Sequence, residues 1–182
     1  MSNFIAIDFE TADYGADSAC AIGIVKVRGG RVTAKAARLI RPPRRSFVFS
    51  YIHGIRWGDV KSEPDFGGVW PEFAEHFDGA DYILAHSAGF DRGVLETCCA
   101  VHGLTPPDLP YVCTVKLARA IWNIRPTRLP NVCRSLNIDL RNHHDAAADA
   151  LACAHIGLRA LKEGYPLNSG ILGSTLRRRA IA

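Results

Sequence analysis

Apolar and polar positions along the chain fall first into β-type runs and later into helical stripes. Asn3 to Phe9 is β-rich and reads as a strand, and Ala19 to Arg28 reads as a second, with Ile22, Ile24 and Val27 supplying β-branching. Gly29-Gly30 is a two-residue hairpin signal, so Arg31 to Ile40 is predicted as a third strand that Pro42-Pro43 ends. Residues 41–58 read as irregular chain of aromatic and basic character. The period then lengthens: Phe66, Trp70, Phe73 and Phe77 recur at helical spacing, as expected of a helix packed on a core. Asp81 to Ala85 is a short strand, and Phe90 to His102 a helix with Phe90, Val94, Cys98 and Val101 on one face. Three prolines make Gly103 to Pro110 a loop. Thr114 to Trp122 and Leu129 to Leu136 are short helices. Asp145 to Lys162 is the clearest helix, Ala-rich and capped by Asp145, with Leu151, Ala154, Leu158 and Leu161 expected to face inward. Strands first, then strands mixed with helices, predict an α/β domain with a mixed sheet.

Composition narrows the class. A chain of 182 residues, 48% hydrophobic and 22% charged, fits one globular domain and is not disordered. No apolar run approaches the roughly 18 residues of a membrane span. The first residues lack a basic segment, and Asp8 and Glu10 break the first apolar run, so no signal peptide is expected. The six cysteines (20, 98, 99, 113, 133 and 153) sit in apolar stretches and read as core residues of a reducing, cytoplasmic compartment. Cys98, Cys99 and His102 lack partners at zinc-site spacing. The domain is expected to span residues 1–163, with 164–182 a poorly ordered basic tail carrying Arg177-Arg178-Arg179.

Candidate chemistry lies in the acids. Asp8 and Glu10 are two apart in a strand, so both side chains leave the sheet on one face, with Phe4 and Ala6. Two like charges on a buried strand are costly unless a cation accompanies them. Asp91 opens a helix and Asp149 sits within one, and each alone reads equally well as an ordinary surface or helix-start charge.

Their contexts change the reading. The segments Phe4-Ile-Ala-Ile-Asp8-Phe-Glu10-Thr11, Leu84-Ala-His-Ser-Ala-Gly-Phe90-Asp91 and His143-His144-Asp-Ala-Ala-Ala-Asp149 occur in this order. Together they resemble the three motifs of the DnaQ-like (DEDDh) 3′–5′ exonuclease family, of the ribonuclease H-like superfamily. Ile52-His53-Gly54-Ile55 and Cys113-Thr114 are further landmarks, and the resemblance runs from about Phe4 to Leu161. The tyrosine branch of the family would need Tyr where Asp145 stands. Motif one departs from the usual pattern at Ala12-Asp13 and motif two at Ser87, where Asn is usual. Neither departure removes an acid.

The resemblance implies a mixed five-stranded sheet flanked by helices and two divalent ions, Mg²⁺ or Mn²⁺, held by Asp8, Glu10, Asp91 and Asp149. Glu10 and His144 would serve catalysis, His144 as general base on the loop before the last helix and His143 as the competing candidate. His144 lies five residues before Asp149, which on a continuous helix would set the two about 140° apart. For substrate, Thr11, Tyr14 and His53 are expected at the terminal nucleotide. Arg41, Arg44 and Arg45 are expected as a phosphate patch, with Arg125 and Arg128 as a second candidate. The implied activity is release of nucleoside 5′-monophosphates from single-stranded DNA 3′ ends. Alternatives are an RNA 3′-end trimming enzyme and a polymerase-associated or nucleic-acid-binding module of weak activity. The expected partners are single-stranded nucleic acid 3′ ends and a DNA polymerase, with no membrane and no oligomeric state legible.

Overall fold

The alternating runs of the first forty residues produce a meander of three antiparallel strands, β1 (Phe4–Thr11), β2 (Ala19–Arg28) and β3 (Arg31–Leu39), turned at Gly29-Gly30. The structure is a computed structural model that describes residues 2–172. Two short parallel strands, β4 (Tyr82–Ala85) and β5 (Tyr111–Cys113), complete a mixed sheet of order β3-β2-β1-β4-β5. Helices α1 (Ser50–His53) and α2 (Trp57–Val60) are single turns within the stretch predicted as irregular. Helix α3 (Phe66–Ala74) continues into a 3₁₀ turn at Glu75–Phe77, and α4 (Gly89–Val101), α5 (Thr114–Trp122), α6 (Leu129–Leu136) and α7 (Ala146–Lys162) follow.

Strand alternation divides the core in two. Ile5, Ile7, Phe9, Ile22 and Ile24 pack with α3 and α4 on one face, while Phe4, Ala6, Val25, Val27 and Leu84 pack with α5, α6 and α7 on the other. Asp8 and Glu10 share the parity of Phe4 and Ala6 and so face α7.

Helix α7 does not present the face its large residues suggested. Its buried positions are mostly small ones, Ala146, Ala150, Cys153, Ala154, Gly157 and Ala160 among them, with Ile156 as the one large apolar residue fully inside, whereas Leu151, Leu158 and Leu161 are only half-buried. Small residues let the helix lie close on the sheet. A Cβ at Gly157 would overlap Leu84 and the Phe4 ring, and one at Gly23 of β2 would overlap the Ala146 backbone. Gly23 pairs with Asp8 in the ladder, so the start of α7 is seated directly over the first motif. In α4, likewise, Phe90 and Val101 are exposed, and Leu95 and Cys99 join Val94 and Cys98 inside.

The chain after α7 is packed further than predicted. Leu167 is buried in a 3₁₀ turn (Leu167–Gly170), Ile171 forms a bridge with Val112, and the Leu172 N–H donates to the Tyr111 carbonyl at 2.9 Å. Apolar contact at Leu167 and backbone pairing on the free edge of β5 hold this segment. Arg177 to Arg179 lie outside the described residues.

Candidate metal centre and cleft

Pairing between the parallel strands β1 and β4 ends at Ala6 and Leu84, while β1 runs on to Thr11. A crevice therefore opens at the carboxyl end of β1, where the neighbouring connections leave in opposite directions, the usual place for a site in an open α/β sheet. Beyond the end of β4 the Phe9 N–H has no ladder partner there and donates to Asp91 Oδ1 at 3.1 Å. That bond brings the first turn of α4 against the first motif. Asp91 is 1% exposed and its Oδ2 is left without a hydrogen bond.

Helix α7 supplies the fourth acid, Asp149. Its cap is Asp145, which accepts from the Ala148 N–H at 2.9 Å. One turn in, Asp149 Oδ2 accepts from His143 Nδ1 at 2.9 Å and from the His144 backbone N–H at 3.1 Å. Asp149 Oδ1 is buried and unpartnered. His144 lies on the loop before the helix, as helix geometry required, in a left-handed conformation (φ 70°), with its ring stacked on His143 at 3.8 Å.

Ligand atoms of Asp8, Glu10 and Asp149 lie within 4.8 Å of one another, as do those of His143, His144 and Asp149. Among the described residues no Lys or Arg pairs with Asp8, Glu10, Asp91 or Asp149. Burial, then the neighbouring Asp91, Asp149 and Glu10, pushes the Asp8 carboxyl well up from its ordinary range. Burial and then Asp149 carry Glu10 to about 8. Burial also raises Asp91 and Asp149, for Asp149 against the lowering influence of His143. Burial and its neighbour His143 lower His144, which keeps it suited to accept a proton. Clustered carboxylates with orphaned buried oxygens and no protein cation fit hard divalent cations, which take oxygen ligands.

The acids stand in a cleft of about 1070 Å³ whose lining includes Thr11, Phe49, Ile52, His53, His86, Ser87, Phe90, Arg119 and residues 125–130. Asp91 lies behind the lining, beneath Phe9. His53 Nδ1 accepts from the Ile55 N–H at 3.1 Å, so its Nε2 carries the hydrogen that it donates to the Thr11 carbonyl at 3.1 Å. Burial lowers His53, in keeping with that neutral form. Tyr14 is 84% exposed and meets Phe49 edge-on, outside the lining.

Arg41, Arg44 and Arg45 are not brought to the cleft. Arg44 clasps Asp13 (2.8 Å) and Asp17 (2.5 Å), Arg41 lies 3.6 Å from Asp65, and Arg45 lies over the Trp57 ring. The first two guanidinium groups are already neutralised by carboxylates from before and after them in the chain. Absence of acids between residues 17 and 59 did not mean absence of acids in space. Phe49 and Arg119 join the cleft with no signal in the sequence, whereas Ile52, His86 and Phe90 lie inside the landmark and second-motif segments. His86 stood inside the second motif, and Thr114, to which it bonds, was singled out only as a landmark.

The sequence profile of the exonuclease family (RNase_T) matches residues 5–156. Among curated relatives, the PolC-type DNA polymerase III of Thermotoga maritima is 33% identical over 162 residues, covering 87% of this chain. The PolC-type enzyme of Halalkalibacterium halodurans is 30% identical over 167 residues, covering 89%. The chain spans 12% of the length of each of these relatives. Among solved structures, a full-length 3′-exonuclease superposes with TM-score 0.77 at 16% identity, over 97% of this chain and 92% of its own. Exonuclease X in complex with 5′ overhanging duplex DNA superposes with TM-score 0.69 at 24% identity, over 93% and 97% of the two chains. The Escherichia coli Exonuclease I complex with a dT13 oligonucleotide gives 0.73 at 17%, over 90% of this chain and 43% of that one. These structures share the fold.

Proposed function

This chain belongs to the exonuclease family, and on that premise we propose that it is a metal-dependent 3′–5′ exonuclease acting on single-stranded DNA ends. One observation carries the reading: four carboxylates from β1, α4 and α7 converge with no protein cation, two of them with orphaned buried oxygens. Asp8, Glu10, Asp91 and Asp149 would hold two Mg²⁺ or Mn²⁺ ions. When bound, such ions supply charge stabilisation to a phosphodiester and activate water. His144 takes the proton of the attacking water, and its loop position lets it adjust as the substrate binds. His143 keeps Asp149 oriented through its Nδ1 bond. Thr11 and His53, joined at the end of β1, border the place of the terminal nucleotide. The products are nucleoside 5′-monophosphates.

Polarity finds support in the 3′-exonuclease structures and work beside a DNA polymerase in the PolC-type relatives. RNA remains a second substrate class, supported by a neighbour described as a 3′-exonuclease that recognises the 3′ end of a histone mRNA stem-loop, with TM-score 0.74 and 16% identity. No helix among the described residues is long and apolar enough to cross a membrane. Six free, buried cysteines support a cytoplasmic setting.

The test is a time course on 5′-labelled and 3′-labelled DNA and RNA oligonucleotides with Mg²⁺, Mn²⁺ or EDTA. The reading expects a progressively shortening ladder from the 5′-labelled strand, and immediate release of the label from the 3′-labelled one. EDTA stops both. Intact 5′-labelled strands in the presence of metal would refute it.

A further inference from the structure

One wall of the cleft is residues 125–130, the end of the α5–α6 connection and the start of α6, together with Arg119 of α5. Arg119, Arg125 and Arg128 all line the cleft and are exposed. Among the described residues none of the three forms an ion pair with a carboxylate, in contrast to Arg41 and Arg44. The cleft thus has an acidic end and a cationic wall.

That wall is tied to the second motif by one side chain. His86 follows β4 directly, and its Nε2 lies 2.8 Å from the Thr127 carbonyl. A carbonyl only accepts, so Nε2 carries the hydrogen. Nδ1, 2.8 Å from Thr114 Oγ1, then accepts from the hydroxyl. Both ring nitrogens are engaged, so His86 serves as a strut between the end of β4, the start of α5 and the loop. Arg119 Nη2 donates to Thr127 Oγ1 at 3.1 Å, holding the same residue from its other side.

A polynucleotide entering the carboxylate cluster presents more phosphates than the one being cut. Those phosphates meet repulsion from the acids unless cations stand beside them, and guanidinium groups are the best matched donors for phosphate oxygens. The cleft, about 1070 Å³, runs continuously from the acids to these arginines. We infer that the 125–130 segment is the site for the substrate backbone beyond the scissile phosphate, with Arg125 and Arg128 as phosphate ligands and His86 as their positioning residue. This rests on the exonuclease reading for its substrate class and moves the phosphate grip from Arg41–Arg45 to the second candidate, Arg125 and Arg128.

The test is equilibrium binding of a fluorescent single-stranded oligonucleotide in EDTA, read by anisotropy between 50 and 200 mM salt. Alongside it, hydrolysis of the oligonucleotide is compared with that of the nitrophenyl ester of thymidine 5′-monophosphate, which has no further phosphates. Each single-strand phosphate contact contributes about 0.7 to the slope of log affinity on log salt. The Arg125→Ala/Arg128→Ala variant is therefore expected to flatten that slope by about 1.4. Its oligonucleotide-to-ester ratio of kcat/KM should fall about tenfold, chiefly through KM. His86→Ala should show the same signature, and His86→Gln should restore it, because a carboxamide can donate to the Thr127 carbonyl and accept from Thr114. An unchanged salt slope, or equal losses on oligonucleotide and ester, would overturn the inference. A wild-type chain that hydrolyses neither substrate would instead refute the exonuclease reading, and the salt slopes would still decide whether the loop binds phosphates.

Discussion

Asp8, Glu10, Asp91 and Asp149 are individually unremarkable acids that the fold brings together in largely buried surroundings. Each raises the cost of ionising the next, so the cluster opposes itself until a cation is present. His144 and His143 divide the labour around Asp149: the first gives it a backbone N–H and the second a ring N–H. His144→Ala is expected to lower turnover at least a hundredfold, the usual scale for a general base, with metal-dependent stabilisation retained. His143→Ala should cost about tenfold, since Asp149 keeps the backbone bond. Turnover and melting with and without Mn²⁺ separate the two. A different residue pair sets acid stability. Hydrogen bonding by Arg44 holds Asp13 at about 2, below its unfolded value of about 3.9. A depressed acid stabilises the fold above its unfolded value and loses that contribution as pH falls through its folded one. Arg44→Gln is therefore expected to lower unfolding free energy by about 1 kcal/mol or less at pH 7, given the exposure of Arg44. The difference should narrow as pH falls from about 4 toward 2, measured by urea unfolding across that range.

At the scale of elements, the approach of α7 to β2 decides whether the acids meet. Gly23 lies opposite Asp8 and beneath Ala146, and the helix that begins there carries Asp149 three residues later. Gly23→Ala must push the start of α7 away from the sheet, an overpacking of about 1–3 kcal/mol. Activity is expected to fall more than tenfold in protein that remains folded, as judged by circular dichroism alongside the oligonucleotide assay. Wild-type turnover in that variant would show that α7 has slack at its start. The elements themselves were largely legible: β2, α5 and α6 have the bounds that period and turn residues predict. β5 was not, because three residues display no period, and only the family resemblance called for a fifth strand. On the inward face of α7 only Ala154 of the four expected residues is fully buried, because close helix–sheet approach selects Ala, Cys and Gly around the single large Ile156. The acids could be read because their backbone contexts are local. The arginines could not, because pairing depends on which carboxylates the fold brings near, as Asp13, Asp17 and Asp65 show.

For the molecule as a whole, the chain beyond α7 bears on stability. Leu167 is 2% exposed, and Lys116 Nζ donates to the Ile171 carbonyl at 3.1 Å, so residues 164–172 complete the core beside α5. A chain ending at Glu163 is expected to be less stable by about 2 kcal/mol or more than one ending at Leu172, from the loss of a buried leucine. Equal midpoints in urea would place the domain boundary at α7. The same whole-molecule view gives the cleft its polarity of charge, acids where β1, α4 and α7 meet and arginines on the loop before α6. The most direct measurement is hydrolysis of a 5′-labelled oligonucleotide by Asp8→Asn and Asp149→Asn variants, with melting recorded on the same samples in EDTA and in Mn²⁺. The account predicts no ladder from either variant, melting in EDTA at or above the wild-type temperature for Asp8→Asn, and loss of the metal-induced rise in melting. Wild-type hydrolysis by either folded variant would contradict it.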